Sequence, residues 1–105
     1  MYNHLKHILV VDDEQDIAEI LQFNLRSEGY SVDVAFSAEE ALPMLKTSRY
    51  DLLLLDVMMG EISGFGLAKL LKADEATASI PIIFITALDG ESEIVKGLDI
   101  GADYY

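Results

Sequence analysis

Four short runs of strongly apolar, partly β-branched residues punctuate the chain: Ile8 to Val11, Ser31 to Ala35, Leu52 to Leu55 and Ile82 to Ile85. They do not alternate cleanly with polar positions, the pattern of strands buried on both faces. The segments between them repeat apolar residues at helical spacing. After the first run, Ile17, Ile20, Leu21 and Leu25 fall on one helical face, with Gly29 as the expected terminator. Ser37 followed three residues later by Glu40 reads as a capping box ahead of Ala38, Ala41, Leu42 and Leu45. Pro43 sits inside that second pattern, where it removes a backbone donor and clashes with the preceding turn, so a kink or an early end is expected there. A third helix is expected from about Gly64 to Ala73 on Leu67, Leu70 and Leu71. The loop Asp74 to Ser79 then leads to Pro81, which opens the fourth strand, and a fourth helix with Ile94, Val95 and Leu98 closes near Gly101.

Strand and helix alternating at this spacing predict βαβ units, whose right-handed crossovers give an α/β fold with a parallel sheet and helices on both faces. Three strands then end in a polar group. Ile8 to Val11 runs into Asp12 and Asp13, Leu52 to Leu55 into Asp56, and Ile82 to Ile85 into Thr86. The carboxyl ends of the strands in such a sheet line the crevice where ligands bind, so these four side chains are expected to converge.

Composition narrows what that crevice can do. A chain of 105 residues, 51% hydrophobic and 25% charged, is enough for one core and too short for two, so residues 1–105 read as a single domain. The formal net charge of −12 repels phosphate backbones and anionic lipid headgroups, which argues against nucleic acid and membrane as partners. With no Cys there is neither a disulfide scaffold nor a thiolate metal site. The longest apolar runs, Leu52 to Leu55 among them, are far short of the ~20 residues of a membrane helix, and the amino terminus has no signal-like stretch. The reading is cytoplasmic.

Three carboxylates at one sheet edge repel one another, an arrangement that a hard cation makes tolerable. Asp12, Asp13 and Asp56 offer only oxygen ligands, which points to Mg²⁺ over zinc. A divalent ion would then stand beside a carboxylate able to act as a nucleophile, since Asp is among the side chains that form acyl phosphates. Thr86 could donate a hydroxyl to an added phosphoryl oxygen. No G-x-x-x-x-G-K-[ST] or G-x-G-x-x-G phosphate loop occurs. His4 and His7 flank the first strand with no partner pattern and read as surface residues.

The stretches ILVVDDE at Ile8 to Glu14, LLLLDVMMGEISGF at Leu52 to Phe65, IPIIFITA at Ile80 to Ala87 and GADYY at Gly101 to Tyr105 resemble the receiver domain of bacterial two-component response regulators. The motifs stand in the family's order and cover essentially the whole chain. The resemblance implies a flavodoxin-like, doubly wound sheet of strand order 2-1-3-4-5, a (βα)5 fold cut at the start of its fifth strand. It implies that a sensor histidine kinase or phosphotransfer protein donates a phosphoryl group to Asp56, with self-catalysed phosphorylation and dephosphorylation as the domain's own chemistry. On the same match Asp12 and Asp13 form the acidic pocket, the Met58 backbone carbonyl is a further Mg²⁺ ligand, and Thr86 and Tyr105 are the switch pair. An effector domain beyond residue 105 is the implied output.

The chain departs from the family pattern in two places. Where the family's loop after the phosphoacceptor commonly reads Met-Pro-Gly, then an apolar residue, Asp and Gly, this chain has Met59, Gly60, Glu61, Ile62, Ser63 and Gly64, a looser loop with an added negative charge, which implies tuned kinetics. After Tyr105 the family continues with a Lys-Pro pair and a fifth helix. Neither Lys72 nor Lys96 substitutes for that lysine, since both fall in helical segments. The expectation is a receiver less stable than a complete one, with association through the sheet face the missing helix leaves open, strand exchange or a loosely packed monomer as the outcomes. A receiver fragment acting only as an interaction module is the alternative. A Mg²⁺-dependent aspartyl phosphohydrolase of the haloacid dehalogenase type would want an Asp where Met58 stands, and a flavin carrier would not place Asp12, Asp13 and Glu14 against a flavin phosphate.

Overall fold

The computed structural model describes residues 6–57 and 64–85. Its elements run β1 (His7–Val11), α1 (Gln15–Ser27), β2 (Ser31–Ala35), α2 (Ala38–Thr47), β3 (Leu52–Asp56), α3 (Gly64–Ala73) and β4 (Ile82–Ile85). The strands form a parallel sheet of order β2-β1-β3-β4. Val11 lies opposite Ala35 on one side and Leu55 on the other, so the ends of the two central strands are level. The expected fourth helix, Met58, Thr86 and Tyr105 lie outside the described residues.

Alternate side chains of each strand enter two separate cores. Leu9, Val11, Ala35, Leu53, Leu55, Ile82 and Phe84 face α2 and α3, meeting Ala41, Leu45, Phe65, Leu67 and Leu71. Phe65 and Phe84 meet edge to face with centroids 4.8 Å apart, a favoured aromatic geometry. On the other side Ile8, Val10 and Val32 pack with Ala18, Leu21 and Leu25 of α1. The sheet is therefore covered on both faces, as its apolar strands require.

The helix termini follow the sequence signals closely. Gly29 takes φ +99°, and its N–H bonds the Arg26 carbonyl while the Tyr30 N–H bonds that of Leu25, the paired closure of a Schellman motif. At α2 the Ser37 hydroxyl accepts from the Glu40 N–H at 3.0 Å, and the Glu40 carboxylate accepts in return from the Phe36 N–H at 3.2 Å, one residue earlier than a standard capping box.

Three expectations need correction. The buried face of α1 is rotated from the expected one: Ala18, Leu21 and Leu25 point inward, while Ile17 is exposed and Ile20 and Phe23 are 58% and 74% exposed. Ala18 is fully buried against Ile8, Val10 and Val32, and with it on the inner face Leu21 and Leu25 turn inward and Ile17 and Ile20 outward. In α3, Leu67 and Leu71 are buried but Leu70 is half exposed. Finally, of the kink or early end expected at Pro43, the early end does not occur: α2 runs on to Thr47. Pro43 and Glu39, whose carbonyl loses its usual donor, are both on the solvent side, where water can satisfy the carbonyl.

Candidate functional site

Because the strands are parallel and level, the residues that follow β1 and end β3 meet at one edge of the sheet. Asp12 and Asp13 leave β1 and Asp56 closes β3. One carboxylate oxygen from each lies within 4.8 Å of the other two. The Asp12 N–H is held by the Ala35 carbonyl at 3.1 Å, and the N–H of Val57, next to Asp56, by the Ile85 carbonyl at 3.1 Å, so both neighbouring strands fix the backbone of the cluster.

The three carboxylates differ in surroundings. Asp12 is only 3% exposed, Asp56 is partly buried and Asp13 faces solvent. Burying a carboxylate is costly unless it is paired or hydrogen-bonded. Asp12 meets part of that cost through the Glu14 N–H, which donates to its Oδ1 at 2.9 Å in a local turn. Helix α1 begins at Gln15, so its amino-terminal end lies next to the cluster and its unpaired N–H groups oppose the negative charge. Oxygen-only donors, three negative charges and one solvent-facing member fit a hard divalent cation such as Mg²⁺.

Of the residues expected to converge, Asp12, Asp13 and Asp56 do so. The positions of Thr86, Met58 and Tyr105 fall outside the described residues. Lys72, in the last turn of α3, donates from Nζ to the carbonyls of Ala78 and Ile80 at 3.1 and 3.2 Å, which ties down the loop before β4.

His7 is not the partnerless surface residue its sequence context suggests. Its ring lies against Tyr50 and within hydrogen-bond distance of Asp33. Burial pushes the Asp33 carboxyl up, but its hydrogen bonds with Tyr50 and His7, joined by the charges of His7 and Arg26, outweigh that and hold it below the usual carboxylate range. Burial, then the Asp33 bond and charge, push the Tyr50 hydroxyl up to about 12. The sequence signal was Asp33 itself, a charge in the middle of a strand on the same side as Leu9, its register partner.

The arrangement has clear relatives. A family model described as the response regulator receiver domain matches residues 8–105. The transcriptional regulatory protein DltR of Streptococcus agalactiae is 46% identical over 98 residues, 93% of this chain and 43% of that protein. The alkaline phosphatase synthesis transcriptional regulatory protein PhoP of Bacillus subtilis is 44% identical over 100 residues, 95% of this chain and 41% of its own length. The chain thus spans about two fifths of the length of these curated relatives. Among solved structures, the chemotaxis protein CheY4 of Vibrio cholerae superposes with a TM-score of 0.92 at 27% identity, covering 96% of this chain and 84% of that one. The receiver domain of a Francisella response regulator gives 0.87 at 33% identity, covering 94% and 81%. A parallel sheet of order 2-1-3-4, an acidic cluster at its carboxyl edge and a family match over nearly every residue agree: the chain belongs to the response regulator receiver domain family.

Proposed function

We propose that this chain is the phosphoacceptor module of a two-component phosphorelay and that Asp56 receives the phosphoryl group. The observation that carries the reading is the meeting of Asp12, Asp13 and Asp56 within 4.8 Å at the carboxyl edge of a receiver-family sheet. Asp56 is the only one of the three that lies within a central strand, paired in register with Ile85 of β4, and its carboxylate meets those of Asp12 and Asp13. An Asp56 oxygen attacks the phosphorus of a phosphohistidine on a sensor kinase or phosphotransfer protein, and the phosphorus–nitrogen bond breaks as the new phosphorus–oxygen bond forms. Asp12 and Asp13, with the Met58 carbonyl by the motif match, would hold Mg²⁺, whose charge offsets that of the carboxylates and the phosphoryl oxygens. Thr86 would donate its hydroxyl to the phosphoryl group, and Tyr105 would follow Thr86. The relatives are named as transcriptional regulators and extend well past the matched region, which supports an effector domain as the output and a cytoplasmic setting.

A small phosphodonor with Mg²⁺, borohydride trapping of the acyl phosphate and peptide mass spectrometry test the assignment. The label is expected on Asp56 and absent from Asp56→Asn. Mg²⁺ at about ten times its Kd is expected to stabilise the fold by ~1.4 kcal/mol, a gain that Asp13→Ala abolishes. A label on Glu61, or a melting midpoint indifferent to Mg²⁺, overturns the site.

A further inference from the structure

At the other edge of the sheet a polar group is set into the side that packs on α2 and α3. His7 opens β1, Asp33 lies in the middle of β2, and Tyr50 is the buried residue just before β3. The His7 ring stacks on Tyr50 with centroids 4.3 Å apart. Its Nε2 lies 2.8 Å from Asp33 Oδ2 and its Nδ1 3.0 Å from the Arg49 carbonyl oxygen. The Tyr50 hydroxyl donates to the same Asp33 Oδ2 at 2.8 Å. The His7 backbone is fixed as well, its N–H donating to Asp51 Oδ2 at 2.8 Å and its carbonyl accepting from the Asp51 N–H at 2.7 Å.

Both ring nitrogens therefore face acceptors. A carbonyl oxygen can only accept, and an ionised carboxylate already taking the Tyr50 proton can only accept. A neutral imidazole has one N–H and satisfies one of the two, whereas imidazolium has two and satisfies both. Charged residues next to the ring or its partners include Asp51 at the His7 backbone, Arg49, whose carbonyl the ring faces, Lys6, which precedes His7 in the chain, and Arg26, which acts on Asp33 from α1 while donating to the Val32 carbonyl at 3.1 Å. The chain segments joined are those that flank α2: Asp33 belongs to the strand before it and Arg49 to the connection after it. Among the described strands β2 is paired on one side only, by β1.

We propose that His7 is a proton-gated clasp at the base of the β2–α2 unit: with both ring nitrogens protonated it bridges the Asp33 carboxylate and the Arg49 carbonyl, and on losing a proton it releases one of them. The clasp is closed on the acidic side and opens as pH rises. Its release loosens β2 and the connection after α2 without touching the acidic cluster, because the two lie at opposite ends of β1.

Ring ¹⁵N NMR of the 105-residue chain reads the protonation state directly, and amide-exchange protection factors for β2 and for Tyr50 and Asp51 read the clasp, both followed from about pH 5 to about pH 9. Protection in those segments is expected to fall about tenfold as the ring deprotonates, the loss of one charge-assisted hydrogen bond. His7→Gln, which cannot bridge both acceptors and does not titrate, is expected to show the lower protection at every pH. A ring with one bare nitrogen at the acidic end of the range, or deprotonation that leaves protection unchanged, overturns the proposal, and both are read on the unsubstituted chain even if His7→Gln fails to fold.

Discussion

Asp33 shows how a single residue carries a pH dependence that its neighbours set. Its carboxyl is held below the usual range in the folded chain, so the stability it contributes is present above the unfolded value of about 3.9 and is lost as pH falls through the folded value. Tyr50→Phe keeps the buried ring but removes the hydroxyl that donates to Asp33. That variant is expected to be less stable than the parent at neutral pH, and the difference is expected to shrink below about pH 4, where Asp33 takes up its proton in either chain. Urea titrations at several pH values measure the difference, and a constant gap would detach Asp33 from the effect. The acidic cluster shows the opposite case. Asp12 and Asp13, which alone would read as a solvated turn or helix cap, became candidates through their place at a strand end beside another expected strand-end carboxylate, and Asp56 because an all-Leu strand has little other reason to end in a charge. His7 was not legible, because its partners are 26 and 42 residues away and only the pairing of β1 with β2 on one side and β3 on the other brings them together.

At the scale of elements, Leu67 and Leu70 test whether burial or composition governs α3. Both sit in the same apolar pattern, yet Leu67 is fully buried under β3 and β4 while Leu70 is 50% exposed. Leu67→Ala is expected to cost ~2–5 kcal/mol, from lost transfer energy plus the cavity left behind. Leu70→Ala is expected to stay within about 1 kcal/mol, and equal losses at the two positions in a denaturant melt would contradict the rotation of this helix. Strands and caps were legible because they are local. β2 and β4 span the expected residues, Ser37 caps α2 and Gly29 closes α1. Helix rotation was not, since Ile17, Ile20, Leu21 and Leu25 form an apolar face whichever way α1 turns. Burial of Ala18 against the sheet goes with Leu21 and Leu25 on the inside.

Across the whole molecule, 7 cationic and 19 anionic side chains give a formal charge of −12, and self-repulsion at that charge opposes the compact state. Monovalent salt raised from about 0.01 M to about 0.5 M is expected to lift the melting midpoint by ~4–8 °C, the equivalent of roughly 1 kcal/mol, as screening shortens from ~30 Å to a few ångström. Asp13→Ala is expected to keep most of that salt response while losing the response to millimolar Mg²⁺, which separates diffuse screening from occupancy of the cluster. A midpoint that ignores salt would leave self-repulsion without a part in this fold. Within the described residues no helix is long and apolar enough to cross a membrane.

The amino-acid sequence by itself determined the local features of this protein: which segments are strands and which are helices, where the helices are capped, and that carboxylates stand at strand ends. Each of these depends on residues within one or two turns of one another, so the pattern along the chain contains the whole cause. Only the tertiary structure decided that Asp12, Asp13 and Asp56 share one edge within 4.8 Å, that Ile20 and Phe23 of α1 face outward, and that His7 meets Asp33 and Tyr50. Those outcomes depend on strand register and on how closely each helix approaches the sheet, which are set by the packing of side chains far apart in the sequence.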